Sequence, residues 1–417
     1  MNSEIKTLKE DALFESNFLR KLGITNKSTI LSIMIISNAF SWYFPFFGML
    51  KMLITEMTVV LWSIHFIGSV FSAVIGVILS ERIPRNAFFL CWMILGVISS
   101  LVLMCVPFTS APNILLISLL SGVAFGMGIP TSIGYFAEHT ATENRAKLGG
   151  LILFISSIGT FLLGLVMSND VVLNGLILTI WRLGGLIMYL FLKTVLESAR
   201  DKRDVSFSFI LHQRPFVIYF LPWVMFSLVN YLSIPVLNKL FTPKVIESIL
   251  LVESTLAGFF AIAVGFLSDF FGRKRMTITG FVLLGLGYAI LGIRPENLFS
   301  WYFYIIVDSI AWGVFHVIYI FTIWGDLSEG VSTEKYYMIG GLPFYVSNYL
   351  QILIGPYVAE AISMHAIFSF TAFFMFLAVV PLMFAPETLP ERKLRERELR
   401  SYIEKAKRIR EKFTKGQ

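Results

Sequence analysis

Long apolar runs, each about the length needed to cross a lipid bilayer, recur along the whole chain and limit the folds open to it. A transmembrane helix needs about 20 predominantly apolar residues. The chain of 417 residues is 56% hydrophobic and only 15% charged, whereas a soluble domain carries about 25% charged residues. The sequence therefore predicts an all-α polytopic membrane protein.

Twelve spans can be placed, six in each half of the chain. The first-half spans are predicted at 28–50, 57–80, 86–107, 112–137, 146–168 and 175–196. The second-half spans are predicted at 215–238, 247–269, 276–293, 298–324, 337–360 and 364–385. A polar linker at 197–214 separates two six-helix bundles, 28–196 and 215–386, and segments 1–27 and 387–417 lie outside them. The last segment, with Glu and Arg or Lys at helical spacing, is predicted to be a solvated charged helix.

The basic residues indicate which side of the membrane each loop occupies. Of the 34 Lys and Arg residues, Arg182 falls within a span and only four fall in loops on one side, which leaves 29 on the other. The four are Lys51, Lys239, Lys244 and Arg294. Because positive residues stay on the cytoplasmic side, both termini are predicted to be cytoplasmic and the protein to lie in the plasma membrane.

Composition also restricts the functional class. Despite a net charge of +7, the basic residues flank spans and form no face for nucleic acid. The expected partners are therefore the lipid bilayer and a small-molecule substrate. The chain is expected to be monomeric. Cys91 and Cys105 share one apolar run and are predicted to be buried thiols without a disulfide or metal role. No phosphate-binding loop is present to couple ATP. We therefore predict no enzyme activity and no cofactor beyond a proton gradient.

A shift of 188 residues brings charged loop positions of the two halves into register. The matched pairs are Glu81 and Asp269, Arg85 and Arg273, Glu138 and Asp326, and Lys147 and Lys335. Two related six-helix halves are typical of transporters that hold the substrate between the halves near the midplane.

Five loop motifs carry a resemblance to the major facilitator superfamily over essentially the whole chain. GFLSDFFGRKR (265–275) resembles the family's loop signature between spans eight and nine, and VILSERIPRN (77–86) is its degenerate first-half copy. YFAEHTATENR (135–145) resembles the loop after span four. WRLGGLIMYLFLKTVLESAR (181–200) and APETLPE (385–391) resemble the sugar-porter-like, metabolite:H+ symporter branch, although Ala199 replaces a proline of that branch.

The resemblance implies a twelve-helix transporter whose cytoplasmic loops hold a gate of charge pairs. We also expect Asp269 to accept hydrogen bonds from the first N–H groups of the following helix, and Arg273 to pair with Asp269 or with an acid at the end of a facing helix. The gate residues implied are Asp269, Gly272, Arg273, Glu81, Arg85, Glu138, Arg145, Asp326, Glu197 and Arg200.

Ionisable residues inside predicted spans are costly and are therefore candidates for function. Asp308, Trp312, His316 and Tyr319 follow one face of span ten at helical spacing. An acid, an aromatic ring and a histidine could bind a cationic or hydroxylated solute and carry a proton; the alternative is an Asp that is hydrogen-bonded to neighbouring hydroxyls.

Two further ionisable residues, Glu253 on span eight and His65 on span two, also stand 188 residues apart. Either could take part in proton coupling, or could lie nearer the outer headgroups. The remaining candidates for the substrate pathway are Asn38, Trp42, Asn230, Asn348 and Gln351, which could orient a solute or join helices in lipid. Arg182 is expected to snorkel to the membrane surface.

These features predict a secondary active transporter that moves a small solute, such as a sugar-like compound, an organic acid or another metabolite, by alternating access. Proton coupling would depend mainly on Asp308 and Glu253. Spans five and seven lack the glutamines that sugar porters carry there, which argues against carbohydrate. An uncoupled facilitator of the same fold is the near alternative, and a polytopic sensor or membrane enzyme is the alternative of another class.

Overall fold

The computed structural model describes residues 23–24, 26–53, 58–105, 110–192, 203–240, 243–389 and 399. The gate candidates Glu197 and Arg200 lie outside the described residues, as does nearly all of the predicted charged helix after span twelve.

Twelve long helices form the described structure. Those of the first half are α1 (Lys27–Leu53), α2 (Thr58–Arg82), α3 (Arg85–Cys105), α4 (Ala111–Glu138), α5 (Thr142–Val166) and α6 (Val171–Leu192). Those of the second half are α7 (Arg214–Leu240), α8 (Pro243–Phe271), α9 (Arg273–Ile293), α10 (Leu298–Leu327), α11 (Thr333–Ala361) and α12 (Met364–Met383). A short helix, Phe207–Leu211, precedes α7.

Ten of these helices are long and apolar enough to cross a membrane, judged on the described residues; the other two, α7 and α11, are 27 and 29 residues long. The predicted all-α polytopic fold is therefore confirmed, while the bundle boundaries stay a prediction. Helices α5 and α6 each begin four residues before the predicted span: α5 adds the polar stretch 142–145, and α6 adds the mostly apolar stretch 171–174. We call the face where α1 begins and α12 ends the terminal face, and the other the opposite face.

Local sequence explains where several helices start and change. Asn297 and Ser363 accept hydrogen bonds from the backbone N–H groups of Phe299 and Ala366, and so cap α10 and α12. Helix α4 consists of Ala111–Gly126 and Ile129–Glu138, with Pro130 at the start of the second segment. Helix α10 contains a π-helical section, His316–Thr322, and such sections are frequent at functional sites.

The packing of the helices repeats between the halves. Contacts of α1 with α5, α2 with α4 and α3 with α6 recur as contacts of α7 with α11, α8 with α10 and α9 with α12. The contacts between halves repeat as well, since α5 packs on α8 as α11 packs on α2. The repeat inferred from charged loop positions is thus a repeat of the helix arrangement.

The seam between α5 and α8 is built from small residues along its length. A β-carbon at Gly150 would lie 2.3 Å from the Ala261 carbonyl oxygen, and one at Gly265 would lie 2.6 Å from that of Ala146. Small residues allow two membrane helices to approach this closely, and this seam therefore joins the halves backbone to backbone.

The prediction that both cysteines are buried is wrong. Cys91 and Cys105 are free thiols exposed on the surface of α3. An apolar run in a membrane helix covers the lipid-facing side as well as the interior, and hydrophobicity alone therefore does not show which residues are inside.

Candidate functional site

Charged side chains gather at the terminal face, where helices of both halves end. Arg85 at the start of α3 donates to both carboxylate oxygens of Glu138 at the end of α4, over 2.6 and 2.9 Å. The same guanidinium donates to Glu334 in the first turn of α11 over 2.8 Å. Because Glu334 belongs to the second half, Arg85 joins the two halves.

The second half contains the equivalent arrangement. Arg273, the register partner of Arg85, lies 2.7 Å from Asp269 and 3.3 Å from Asp326 at the end of α10. Arg145 of the first half also pairs with Asp326, whose side chain is fully buried. One carboxylate is therefore shared by an arginine from each half.

Two further contacts each join an acid of one half to a lysine of the other half. Glu81 pairs with Lys335 over 3.3 Å, and Asp269 accepts a hydrogen bond from the backbone N–H of Lys147 over 2.9 Å. Since Glu81 matches Asp269 and Lys147 matches Lys335 in the 188-residue register, each acid contacts the matched lysine of the other half. We call the side chains of Glu81, Arg85, Glu138, Arg145, Asp269, Arg273, Asp326, Glu334 and Lys335 the charged ring.

The expected role of Asp269 at the start of α9 is wrong. The first N–H groups of α9, those of Arg273 and Lys274, donate to Glu387 over 2.8 and 3.2 Å. Gly272 has φ of 102°, and a β-carbon there would lie 2.3 Å from the Glu387 carboxylate. This turn points the N–H groups toward the carboxylate of Glu387, which follows α12. Asp269 instead contacts Arg273 and the backbone of α5.

Inside the second half, Asp308 lies in a network of hydroxyl and amide groups. The Tyr304 hydroxyl, one helical turn before Asp308, donates to the hydroxyl of Tyr288 over 3.1 Å. Tyr288 in turn donates to Asn230 over 2.7 Å. Asp308 is buried, and its Oδ1 atom has no hydrogen-bond partner among the described residues.

The structure brings Glu253 and Asp308, two acids from different helices, together. Helices α8 and α10 cross closely at Gly313, where a β-carbon would lie 3.1 Å from the Ala257 carbonyl oxygen. Glu253 and Asp308 lie four and five residues before this crossing, both toward the opposite face, and their charges act on each other. Asp308 is buried and Glu253 half-buried; together they are called the acid pair.

Trp312 and His316 are half-buried, and their rings lie 4.8 Å apart. Tyr319 is fully buried and stacks on Trp223 at 4.8 Å. The predicted face of span ten therefore differs in exposure along its length: Asp308 and Tyr319 are buried, and Trp312 and His316 are partly open. The π-helical section begins at His316, and it changes the predicted spacing only between His316 and Tyr319.

Asn348 and Gln351 on α11 are also half-buried. Asn348 donates to the carbonyl of Phe344 on its own helix over 2.8 Å. These two residues share partial exposure with Trp312 and His316, whereas Trp42, His65 and Asn230 are buried. Asn38 is half-buried and bonds to α6.

In the first half, His65 is enclosed and bonded at both ring nitrogens. Nε2 lies 3.0 Å from the Tyr43 hydroxyl, and Nδ1 lies 3.2 Å from the Ser118 carbonyl and 3.0 Å from the Ser121 hydroxyl. A neutral imidazole that donates at one nitrogen and accepts at the other satisfies these contacts.

The snorkelling expected of Arg182 is wrong. Arg182 is fully buried near the middle of α6 and donates to Asn38 on α1 over 2.9 Å. Its guanidinium carbon lies 5.1 Å from the ring of Trp42 and 5.6 Å from that of Trp92. Asn38 also donates to the Trp181 carbonyl over 2.9 Å. The first-half candidates Asn38 and Trp42 thus fix α1 against α3 and α6.

Sequence reasoning missed several residues of these networks. Glu387 lies in the APETLPE motif, but its contact with α9 was not predicted, and Glu334 belongs to no motif. Each of these acids binds a partner more than one hundred positions away in the chain. The residues 188 positions before them, Ala146 and Ala199, carry no charge, and the internal repeat therefore does not point to either acid. Tyr304 had a signal, since it stands one helical turn before the acid of span ten.

Three comparisons with known proteins bear on this architecture. The family model of the Major Facilitator Superfamily matches residues 215–414. No curated protein sequence matches the chain. The structure is similar to that of the proton:xylose symporter XylE bound to 6-bromo-6-deoxy-D-glucose, with 15% identity, 87% of this chain and 96% of that chain covered, and a TM-score of 0.66. It is also similar to the human organic anion transporter MFSD10 (TETRAN), with 14% identity, 85% and 98% covered, and a TM-score of 0.63. At such identities the similarity shows a shared fold.

Proposed function

Because the chain belongs to the major facilitator superfamily, we propose that it is a proton-coupled secondary transporter of a small solute. Its fold, with multiple apolar helices, is that of a multi-pass membrane transporter. The proposal adds that the solute moves by alternating access and that protons drive it.

The acid pair is the observation that supports proton coupling. A buried carboxylate without a cationic partner is unfavourable in its charged form. Neither Glu253 nor Asp308 has an ion-pair partner in the described part of the chain, and Asp308 Oδ1 lacks any hydrogen bond there. Proton uptake relieves this cost, and access of the pair to one side or the other would link solute movement to proton movement.

The charged ring supports alternating access. Its pairs between halves, Arg85 with Glu334 and Arg145 with Asp326, close the terminal face in this structure. Solute release at that face requires these contacts to separate, while the pairs within a half can persist. The ring therefore stabilises one of two states of the transporter.

The terminal face is proposed to be cytoplasmic and the membrane to be the plasma membrane. The support is the excess of Lys and Arg in the loops and termini on that side. Only four basic loop residues of the chain fall on the other side. With this orientation, the charged ring closes the cytoplasmic side.

The test uses purified protein in liposomes that enclose a pH-sensitive dye, with sugars, organic acids and amines added in turn. One solute class should move protons through the wild type. Asp308→Asn and Glu253→Gln should each abolish proton movement and concentrative uptake, because an amide cannot exchange a proton, while solute exchange down its gradient survives.

Glu360→Gln serves as the control, since Glu360 is an exposed acid near the far end of α11. It should behave as the wild type does. If both acid-pair variants accumulate solute and remain sensitive to an uncoupler, coupling through this pair is wrong. Wild-type uptake that never exceeds equilibrium would favour the uncoupled facilitator.

A further inference from the structure

Basic side chains within the described membrane spans are unevenly distributed between the two halves. Arg182 is the one Lys or Arg that lies within a span away from both helix ends, and its guanidinium is held by Asn38 and two indole rings in the first half. The acid pair lies in the second half. No described basic side chain forms an ion pair with Glu253 or Asp308, so the negative charge of the pair has no internal counter-ion there.

The two acids differ in access. Asp308 is 2% exposed, whereas Glu253 is half-buried. Glu253 is therefore the more accessible of the two carboxylates. A ligand of negative charge would be repelled, and a neutral one would leave the pair dependent on protons.

Aromatic rings lie beside the acid pair. Trp312 stands one turn after Asp308 and is half-buried. Phe226 lies against it with ring centroids 5.0 Å apart. The face of an indole ring attracts a cation, and the attraction is stronger where water is excluded. Carboxylates next to an aromatic wall match an ammonium group that carries apolar substituents.

We propose that the acid pair binds a monovalent organic cation, a substituted or quaternary ammonium, in exchange for protons, so that the protein is an organic cation/proton antiporter. This substrate class rests on the proposed function. When the cation binds, a proton leaves the pair, and when a proton returns the cation is released. One negative charge is balanced at every stage, and no other reactant is needed.

Proton release on binding tests the exchange directly. Choline, tetraethylammonium and tetraphenylphosphonium chlorides are added to purified, weakly buffered protein while pH is followed with an indicator dye. Each organic cation that binds should release protons from the wild type. The neutral isostere of choline, 3,3-dimethyl-1-butanol, and the anion tetraphenylborate should release none.

Binding affinities of the variants locate the release. Glu253→Gln and Asp308→Asn should each weaken cation binding at least tenfold and reduce proton release, and Glu360→Gln should change neither. The thermal unfolding temperature and gel-filtration profile of each variant show that it is folded.

Four outcomes decide between the proposals. Proton release by none of the three cations overturns the substrate class. Release by sugars or carboxylates alone also overturns it but leaves proton coupling intact. Release by sodium or potassium chloride alone would make the ligand a metal ion and likewise overturn it. Solute uptake that no uncoupler affects, without proton release by any solute, would overturn the proposed function itself.

Discussion

The two bundles repeat one packing scheme, but away from the charged ring they bury charges of opposite sign. In the first half the buried charge is the Arg182 guanidinium, which has an amide oxygen from Asn38 and the faces of Trp42 and Trp92 around it. In the second half the charges are those of the acid pair, which has no described cationic partner. The first charge is fully enclosed by its own bundle, although its Nε and Nη2 atoms lack hydrogen-bond partners among the described residues. The second includes the half-buried Glu253 and is therefore open to an exchangeable partner.

The same difference holds at matched positions. His65 and Glu253 stand 188 residues apart. Both nitrogens of His65 have partners within its bundle, whereas Glu253 is half-buried beside another acid. The repeated backbone therefore places a satisfied group in one half and a reactive one in the other. A His65 role in proton transfer stays a prediction that this geometry does not favour.

The largest expected effect tests whether Arg182 depends on Asn38. Asn38→Leu leaves a buried guanidinium without its amide acceptor, and leaving a buried charged group without its hydrogen-bond partner costs about 3 kcal/mol. The variant should unfold at a temperature several degrees below the wild type, as measured by tryptophan fluorescence on heating.

The control removes the charge as well. Arg182→Met fills similar volume with an apolar side chain, and replacing a buried charge with well-packed apolar groups is often close to neutral. The double variant Asn38→Leu/Arg182→Met should be more stable than Asn38→Leu alone. If the double variant is the less stable of the two, the Asn38 contact is not what keeps the buried cation in place.

A second prediction compares contacts between the halves with contacts within one. Glu334→Gln weakens the pair of Arg85 with the second half, and Glu138→Gln weakens its pair within the first half. A hydrogen bond to a charged group contributes about 2 kcal/mol, which corresponds to roughly 30-fold in an equilibrium. Glu334→Gln should therefore shift the transporter toward the state that is open at the terminal face.

The measurement is modification of a cysteine introduced at Ser132, a buried residue of α4, in a background with both native cysteines replaced by alanine. Labelling should be faster in Glu334→Gln than in Glu138→Gln. Equal labelling rates in the two variants would mean that the charged ring does not distinguish contacts between halves from contacts within them.

The sequence allowed the spans and most of the charged ring to be predicted, for two physical reasons. Apolar runs of about 20 residues have few uses other than crossing a membrane, and a repeated chain places matched charges at matched helix ends. The direction in which Asn38, Trp42 and Arg182 point could not be predicted, because a membrane helix is apolar on all sides and its periodicity does not separate lipid from interior. The partners Glu334 and Glu387 depend on tertiary contacts that no local pattern encodes.

The smallest expected effect has the opposite sign to the first and applies to the acid pair. Asp308→Asn keeps the shape of the side chain and removes a charge that has no described cationic partner. Relieving such a cost commonly adds about 0.5–2 kcal/mol of stability, with function lost where the strained group was needed. The variant should therefore unfold at a slightly higher temperature than the wild type while it loses coupled transport.

Asn230→Leu, which removes an acceptor from the same network, should lower the unfolding temperature and so separate the network's contribution to stability from that of the charge. A lower unfolding temperature for Asp308→Asn would show that the carboxylate is stabilised by its surroundings as Arg182 is, and the contrast between the two bundles would then fail.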